Sequence, residues 1–427
     1  MVRALRPLEL GLLLYPVALF AAGSIALQLV RGQERPIADF GIIGLFAALI
    51  LATNAALSAR LARADQALLP IVATLTALGL VFVQRLEPSL APRQLLWFAI
   101  GTVALLLTAF VLPRVEVLGR YRYTLLIVGL LVMGATMAVG VDPNGSGARL
   151  WLGYGGYYFQ PSEIMKVVVV IFFASYLAEK RQLITHSPFR LGRLVLPPLA
   201  YLAPLVLMWM LSMAVLVWQR DLGAALLFYL VFLAMLYAST GRTYLGIGLV
   251  FLVVGAIVAY GLFDHVQLRT RIWLNPWPYA AGDAYQIVQA LSAYAAGGVI
   301  GSGLGYGYPE YIPAVFTDFV LAALGEELGL LGTLAVVALY LALVHRAFRI
   351  ALRASSDFGM LLAAGLGATL GLQAIVILAG TLRIVPITGI TLPFISYGGS
   401  SILANYVMVG LLLLISAESP AGGRPRG

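Results

Sequence analysis

The feature that most constrains this chain is a series of apolar runs, each about 20 residues long, repeated from end to end. A helix that crosses a bilayer needs about 20 mostly apolar residues, and hydrocarbon offers no partner for unpaired backbone groups. Of the 427 residues, 61% are hydrophobic and 11% are charged, against about 25% charged in soluble domains. The sequence therefore predicts an all-α, polytopic integral membrane protein.

Twelve of these runs are long enough to be transmembrane helices. Their predicted limits are 9–30, 38–59, 67–84, 94–113, 121–140, 163–179, 194–217, 221–239, 243–262, 319–345, 357–380 and 397–416. The first run has no clean cleavage site and many runs follow it, so we interpret it as a retained helix rather than a signal peptide. Residues 419–427 are predicted to form a disordered cytoplasmic tail.

Basic residues predict the orientation, because positively charged loops stay on the cytoplasmic side. With the N-terminus inside, 17 of the 27 lysines and arginines fall in cytoplasmic segments and 9 in outer segments, with Lys166 left within a helix. Both termini are thus predicted to be cytoplasmic, in a multi-pass protein of the cytoplasmic membrane. The same pattern accounts for the net charge of +9 without a nucleic-acid partner. Since the chain has no cysteine, thiolate catalysis and cysteine metal sites are excluded.

Two outer loops are long, roughly 141–162 and 263–317, and the second directly precedes the tenth predicted helix. Long loops in compact proteins are usually functional. Within the second loop, 284–296 is predicted to be a short helix in the outer interface. Charged residues collect on this side: Asp142, Glu163, Asp221, Asp264, Asp283, Glu310 and Asp318, with Arg149, Lys166, Arg220, Arg269, Arg271 and Arg383. They predict an outward-facing polar site in which cations hold phosphate and a carboxylate takes a proton.

Three acids cluster at the start of the tenth helix. In a continuous helix, Glu326 and Glu327 would lie about 12–13 Å deeper than Asp318 and about 80° and 180° around the axis from it. We therefore predict that these two bond neighbouring helices and that Asp318 is a lone general base near the membrane surface. The structural alternative for Asp318 is an N-cap of the helix.

Other polar groups have comparable alternatives. Glu163 and Lys166 are three residues apart, which places them on one helix face as either a structural ion pair or a functional one. Asp221 follows a short turn and is a candidate helix N-cap. The glycine-rich segment 301–307 fails the dinucleotide pattern and predicts a flexible turn. Since no P-loop is present, nucleotide hydrolysis is not the expected energy source.

Several ordered motifs make the chain recognisable. They are Gly147-Ala148-Arg149-Leu150-Trp151, Phe159-Gln160-Pro161-Ser162-Glu163 with Lys166, Gln219-Arg220-Asp221-Leu222-Gly223, Arg269-Thr270-Arg271, Asn275-Pro276-Trp277, Tyr285-Gln286, Thr317-Asp318-Phe319, Gly325-Glu326-Glu327-Leu328-Gly329, and Pro386-Ile387-Thr388-Gly389 through Leu392-Pro393-Phe394-Ile395-Ser396-Tyr397-Gly398-Gly399-Ser400-Ser401. Over roughly residues 120–416, the chain resembles the SEDS family of bacterial shape, elongation, division and sporulation proteins, which includes FtsW, RodA and SpoVE.

The resemblance implies a peptidoglycan glycosyltransferase that polymerises lipid II at the outer face of the cytoplasmic membrane. It implies a ten-helix core, here 63–418, preceded by a two-helix extension, 1–62. Asp318 matches the family's proposed catalytic acid. The motif residues expected to bind substrate are Arg149, Glu163, Lys166, Asp221, Arg269, Arg271, Ser396 and Ser400.

The resemblance also implies partners and cofactors. The expected partner is a class B penicillin-binding protein, a single-span transpeptidase, alongside lipid II and membrane lipids. A divalent cation, Mg²⁺ or Mn²⁺, is a candidate cofactor with no ligand set readable from spacing, and no nucleotide, haem or flavin is expected. Arg220 and Arg383 depart from the family pattern, and the Phe-Ile-Ser-Tyr stretch leans toward FtsW.

Two other functions remain open at this level. One is a lipid II flippase that performs no chemistry, and the other is a scaffold whose enzyme lies in a partner. A transporter is expected to show discontinuous helices near the membrane midplane. The sequence shows none clearly, and its candidate groups gather on the outer side, which favours the enzyme.

Overall fold

The structure, a computed structural model, describes residues 6–32, 37–142, 149–186, 189–191, 194–196, 199–240 and 242–419. Within these ranges the helices are α1 (Pro7–Leu12), α2 (Leu14–Arg31), α3 (Ile37–Arg60), α4 (Leu68–Leu86), α5 (Ala91–Val111), α6 (Glu116–Arg120), α7 (Arg122–Val139), α8 (Pro161–His186), α9 (Leu199–Trp218), α10 (Leu222–Thr240), α11 (Arg242–Leu262), α12 (Asp264–Leu274), α13 (Tyr285–Gly297), α14 (Val320–Arg353), α15 (Asp357–Thr381) and α16 (Gly399–Glu418). Two antiparallel hairpins accompany them, β1 (Leu152–Tyr154) with β2 (Tyr157–Phe159) and β3 (Phe189–Leu191) with β4 (Leu194–Leu196).

Each of the twelve predicted spans contains a helix, although residues 194–196 of the seventh form strand β4, and the fold is that of a multi-pass membrane protein. Among the described residues, nine helical segments are long and apolar enough to cross a bilayer, with α1 and α2 counted as one. A tenth is present if α11 and α12, which meet at a bend of 108°, are one broken span. Since the described parts of α9 and α10 are shorter, the count of twelve stays a prediction.

The core is built from α4, α8, α15 and α16, whose most apolar stretches are 72% to 83% buried in the protein. Close helix approach depends on small residues, because bulky side chains would hold the backbones apart. A methyl group on Gly410 of α16 would lie 3.0 Å from the carbonyl oxygen of Leu105 in α5, and one on Gly101 of α5 would lie 3.1 Å from Ile402. Helices nearer the edge, such as α2, α7 and α11, keep large apolar side chains exposed.

The two-helix extension is joined to α4 near both of its ends. Buried Arg6 donates to the carbonyl oxygen of Ala64 at 3.0 Å and pairs with Glu9 at 2.8 Å. Toward the other end, Ser24 of α2 donates to the side chain of Gln84 at 3.0 Å. The extension therefore packs on the rest of the chain. The proposed boundary at residue 62 is still a prediction, and of the predicted tail only Ser419 lies within the described residues.

The second long outer loop is largely helical. It contains α12 and α13, and α13 confirms the short helix predicted over 284–296. Its apolar side buries Ile287, Ala290 and Ala293, and Tyr294 donates to the hydroxyl of Thr381 at 3.1 Å. This helix thus packs against protein rather than lying free in the interface.

The prediction of a continuous tenth helix is wrong, because α14 breaks at Gly329, where φ is +66° and ψ is −167°. A methyl group on Gly325 would lie 3.5 Å from the hydroxyl oxygen of Thr333. In a straight helix, eight residues separate positions by about 12 Å. Residues 320–328 therefore fold back along the following segment, and we call them the re-entrant helix.

The break leaves backbone groups that the segment 298–303 satisfies. The amides of Ser302 and Gly303 donate to the carbonyls of Glu326 and Glu327, and the amides of Leu330 and Leu331 donate to the carbonyls of Gly298 and Val299, all between 2.9 and 3.1 Å. Unpaired backbone groups are costly in an apolar setting. The glycine-rich segment, predicted to be a flexible turn, is thus bonded on both sides of the broken helix.

Candidate active site

The fold-back reverses the predicted depths of the three acids. Glu327 lies at the Arg85 end of α4, the end predicted to face outward, where the two side chains pair at 2.8 Å. Ile395 lies against α4 at Gly79, where an added methyl group would be 2.6 Å from the Ile395 carbonyl oxygen. The next residue, Ser396, donates to the carbonyl of Thr317, which directly precedes Asp318. Gly79 is six residues, or about 9 Å, from Arg85 along α4. Asp318 is therefore recessed, and Glu326 and Glu327 lie at the outer rim.

Glu326 and Glu327 have different partners from Asp318, although only Glu327 bonds a neighbouring helix as predicted. Glu327 accepts hydrogen bonds from Arg85 and from the amide of Gly305 at 3.0 Å, and Glu326 accepts one from the amide of Tyr308 at 2.8 Å. These two acids hold the outer loop and α4, whereas Asp318 lies at the opposite end of the re-entrant helix. The predicted depths were wrong because they assumed a continuous helix, whereas Gly329, with its positive φ, reverses the direction of the chain.

Asp318 is half-buried and does not cap α14. The residue at the cap position is Phe319, and no side chain bonds the first helical amides. The Thr317 hydroxyl lies 2.9 Å from the Asp318 carboxylate and 2.7 Å from the carbonyl oxygen of Ala314, so these two acceptors share its one proton. Burial raises the pKa of Asp318 above its ordinary value, and the Thr317 hydroxyl and the charge of Arg269 only partly oppose the rise. The Asp318 carboxylate therefore neither caps α14 nor forms a salt bridge among the described residues.

The segment 392–397 holds this carboxylate in place. Buried Ser396 donates its hydroxyl to the carbonyl of Thr317 and accepts a hydrogen bond from the amide of Leu392 at 2.9 Å. The amide of Tyr397 donates to the carbonyl of Phe316 at 2.8 Å. Two backbone stretches far apart in sequence are therefore bonded together immediately before Asp318.

Arg269 lies within electrostatic range of two acids. From α12 it acts electrostatically on both Asp318 and Asp221, and its guanidinium is anchored by donation to the carbonyls of Ile387 at 3.0 Å and Thr388 at 3.2 Å. Arginine presents five donors, so an anchored guanidinium can still offer donors to an anionic ligand. Arg269 and Asp318 are therefore close enough to interact electrostatically.

Asp221 combines the capping role with a place in this network. Its carboxylate accepts from the amide of Ala224 at 3.1 Å, which caps α10, and from the side chain of Gln160 at 3.1 Å. The backbone amide of Gln160 in turn donates to the hydroxyl of Ser400 at 2.7 Å. Ser400 is therefore linked to Asp221 through Gln160.

The predicted pair of Glu163 and Lys166 forms, with 2.6 Å between charged atoms. Lys166 is almost fully buried and also donates to Gln373 of α15 and Asn405 of α16, each at 3.0 Å. An ammonium group has three donors, and all three are engaged. In this arrangement Lys166 ties α8, α15 and α16 together, and substrate binding by it stays a prediction.

Arg149 and Arg271 are exposed. Arg149 donates to the carbonyl of Ala138 at the end of α7, at 3.2 Å, and the preceding motif residues 147 and 148 lie outside the described part of the chain. Arg271 follows Arg269 by two helical positions, about 200° around the axis. The contacts made by Arg149 and Arg271 do not include the Asp318 carboxylate, and their substrate-binding roles stay predictions.

Sequence reasoning missed several polar partners of the site. Gln373 and Asn405 are buried amides inside spans, which is itself a signal, because intramembrane polar residues are rare and usually partnered. Arg93 lies over the ring of Tyr157 at 5.6 Å and bonds Tyr397, next to the segment that carries Asp318. Only the tertiary structure connects Arg93 with this site.

The two departures from the family pattern have left-handed backbones, with φ +63° at Arg220 and +58° at Arg383. Arg383 donates to the carbonyls of Trp273 at 2.7 Å and Leu274 at 2.8 Å, at the end of α12. It therefore holds the helix that carries Arg269. Nothing in the structure explains the choice of arginine at position 220.

The described residues contain no group of three or more His, Asp or Glu side chains that could hold a metal ion. Asp318 and Asp221 both interact electrostatically with the positive charge of Arg269. A divalent cation held jointly by one carboxylate and the substrate's phosphates needs no such group, so dependence on Mg²⁺ or Mn²⁺ stays a prediction.

Comparison with known proteins adds the family. A family model described as "Cell cycle protein", for FtsW, RodA and SpoVE, matches residues 64–420. The peptidoglycan glycosyltransferase RodA of Mycobacterium tuberculosis (strain CDC 1551 / Oshkosh) is 39% identical over 99% of this chain and 93% of the relative. A probable peptidoglycan glycosyltransferase FtsW of Trichlorobacter lovleyi is 33% identical over 84% of this chain and 94% of its own length. The motif's lean toward FtsW finds no support in these identities.

Solved structures agree in fold. One chain of a peptidoglycan synthase complex, described in terms of coordinated polymerization and crosslinking, superposes with a TM-score of 0.69 at 29% identity, covering 83% of this chain and 97% of that one. The rod shape determining protein RodA of Thermus thermophilus gives a TM-score of 0.58 at 27% identity, covering 83% and 96%. The chain therefore belongs to the FtsW/RodA/SpoVE family of bacterial membrane proteins.

Proposed function

We propose that this protein is a peptidoglycan glycosyltransferase that polymerises lipid II, with Asp318 as the general base. The observation that carries the proposal is a half-buried carboxylate of raised pKa, within electrostatic range of the Arg269 guanidinium and immediately before a buried helix. A base works best when its pKa is shifted toward the working pH. Relatives named as peptidoglycan glycosyltransferases support the reaction class.

The proposed reaction is a displacement at the anomeric carbon of the donor. The Asp318 carboxylate removes the proton from the acceptor sugar hydroxyl, whose oxygen then bonds to that carbon as the bond to the pyrophosphate oxygen breaks. Undecaprenyl pyrophosphate leaves, and its departure drives the reaction without nucleotide hydrolysis. Attack on the face opposite the leaving group inverts the α-linked donor to a β linkage.

In this reaction Arg269 contributes charge to the site. A bidentate guanidinium suits the pyrophosphate oxygens, whose negative charge grows as the bond breaks. Arg149 and Arg271 are proposed as further contacts nearer solvent. The remaining predicted residues support the site from the protein side, because their hydrogen bonds and ion pairs join α8, α10, α15 and α16 around it: Glu163, Lys166, Asp221, Ser396 and Ser400. Dependence on Mg²⁺ or Mn²⁺ is tested by adding each ion after chelation.

The experiment uses the purified chain with its transpeptidase partner and labelled lipid II. We expect glycan polymer from the wild type and at least 100-fold less from Asp318→Ala, since a general base contributes about 10²–10⁴-fold. Arg349→Ala is a matched control, because Arg349 is exposed at the far end of α14. Equal polymer from the wild type and Asp318→Ala would contradict the assignment of the base.

A lipid II flippase is the second candidate. The break in α14 is an observation in its favour that the sequence did not reveal. Discontinuous helices are a feature of transporters, in which the freed backbone groups bind substrate. Here the segment 298–303 occupies those groups, which favours the enzyme. If lipid II crosses vesicle membranes but is never joined, the flippase proposal replaces ours.

The proposed setting follows from the same site. A class B penicillin-binding protein is proposed as the partner, because a structural relative belongs to a complex for polymerization and crosslinking. We propose that the site faces outward and that both termini are cytoplasmic, as the basic residues predict.

A further inference from the structure

The two-helix extension reaches the outer end of the re-entrant helix through a chain of charged contacts. Arg31, the last residue of α2, donates to the carbonyls of Gln84 at 2.8 Å and Arg85 at 3.2 Å. These carbonyls end α4, where the last helical carbonyls lack helical partners. Arg31 thus fixes the backbone that carries Arg85.

Arg85 then bonds three parts of the outer loop and re-entrant helix. Its guanidinium pairs with Glu327 at 2.8 Å, donates to the carbonyl of Gly307 at 2.9 Å and approaches Glu310 at 3.5 Å. Glu327 is almost fully buried, whereas Glu310 is half exposed. The contact with Glu327 therefore matters most, since a buried carboxylate without its partner costs several kcal/mol.

The extension also packs directly on the same loop. Gly305, at φ +85°, lies so close to α2 that an added methyl group would be 3.1 Å from Val30 and 3.6 Å from Leu27. The amide of Gly305 donates to Glu327 at 3.0 Å. We name Arg31, Arg85, Gly305, Gly307 and Glu327 the outer clamp.

The re-entrant helix connects the outer clamp to Asp318. Residues 320–327 are almost fully buried, and from Asp318 to Glu327 the helix spans about 13 Å. A packed helix moves as a unit, so a shift at Glu327 displaces Asp318. Catalytic groups must be held within about 0.5 Å of their working geometry, and a misplacement of about 1 Å can cost on the order of 100-fold in rate.

We propose that the two-helix extension is a positioning device for the active site and that Arg85 is the positioning residue that transmits its effect. The family model begins at residue 64, so the two-helix extension lies outside the region that defines the family. The proposal rests on Asp318 being the base. It predicts that the outer clamp affects the chemical step more than lipid II binding.

The test compares salt bridges at the two ends of the same helix pair. Arg85→Ala removes the α4–α14 contact at the outer clamp. Arg346→Ala removes the contact of Arg346 with Asp65, with 3.1 Å between Nε and Oδ1, at the other end of α4 and α14. Each full-length variant is purified with the transpeptidase partner, and kcat and KM for lipid II are measured with the melting temperature.

We expect Arg85→Ala to lower kcat about 10-fold with KM within about twofold, Arg31→Ala to lower kcat about threefold, and Arg346→Ala to stay near the wild type. Arg85→Lys keeps the positive charge but lacks the planar guanidinium with its several donors, so its kcat should lie between those of Arg85→Ala and the wild type. Equal kcat losses in Arg85→Ala and Arg346→Ala, or no loss in Arg85→Ala, would overturn the proposal.

Hydrogen exchange separates this proposal from the proposed function, because it needs no activity. In Arg85→Ala, peptides covering 298–331 should exchange faster, since the bonds across the break in α14 lose their support. The same peptides in Arg346→Ala should match the wild type. Unchanged exchange in Arg85→Ala would contradict the outer clamp even if Asp318→Ala is inactive.

Discussion

At the residue scale, Asp318 is distinguished by its surroundings rather than its type. Other acids of the outer side cap a helix, as Asp221 does, or pair with a cation, as Glu163 and Glu327 do. The Asp318 carboxylate accepts a hydrogen bond from the Thr317 hydroxyl and interacts with Arg269 only through electrostatic attraction. A carboxylate with little compensation for its burial has a raised pKa, which suits a base.

The raised pKa predicts a pH dependence. Because the base must be deprotonated, the rate at saturating lipid II should rise with pH, with a midpoint above the ordinary aspartate value of about 3.9. Thr317→Val removes the hydroxyl that favours the charged form, so it should move this midpoint to higher pH. Initial rates across the pH range measure it, with the melting temperature as control. A midpoint at the ordinary value, or no shift in Thr317→Val, would count against Asp318 as the base.

At the element scale, the break in α14 decides which acid is recessed. A left-handed glycine reverses the chain, and a paired backbone segment makes the reversal tolerable in an apolar setting. The sequence predicted the helix, the short helix α13 and the long loop before it. It could not predict the fold-back, because Gly329 sits in an apolar run whose composition is the same for a straight helix.

Replacing Gly329 tests this element. In Gly329→Ala, the new methyl group would lie 2.3 Å from the amide nitrogen of Gly301 and 2.5 Å from the carbonyl oxygen of Val299, at a backbone conformation that alanine disfavours. We expect a large loss of folded protein in size-exclusion chromatography and of melting temperature. Gly44→Ala, in α3 with nothing within 4 Å, should be neutral or stabilising by about 0.5–1 kcal/mol. Similar behaviour of both variants would refute the strained break.

At the scale of the whole molecule, the proposed outward orientation of the site can be tested by labelling. The absence of cysteine from the natural chain makes single-cysteine labelling clean. We expect a membrane-impermeant maleimide to label Tyr154→Cys, at the exposed hairpin turn, in intact cells, and to label Arg349→Cys only after lysis. Both positions are exposed. Labelling of Arg349→Cys in intact cells would reverse the proposed orientation.

The sequence by itself determined the membrane class, the helical spans, the Glu163–Lys166 pair and the capping by Asp221, because these depend on local periodicity and spacing along one helix. It also supplied the family through its motifs. Only the tertiary structure decided that Asp318 is recessed, that Glu326 and Glu327 face the outer rim, and that Gln160, Gln373, Asn405 and Arg93 serve the site. Those facts arise from one chain reversal and from contacts between distant segments, which the hydrophobic pattern of a single span does not encode.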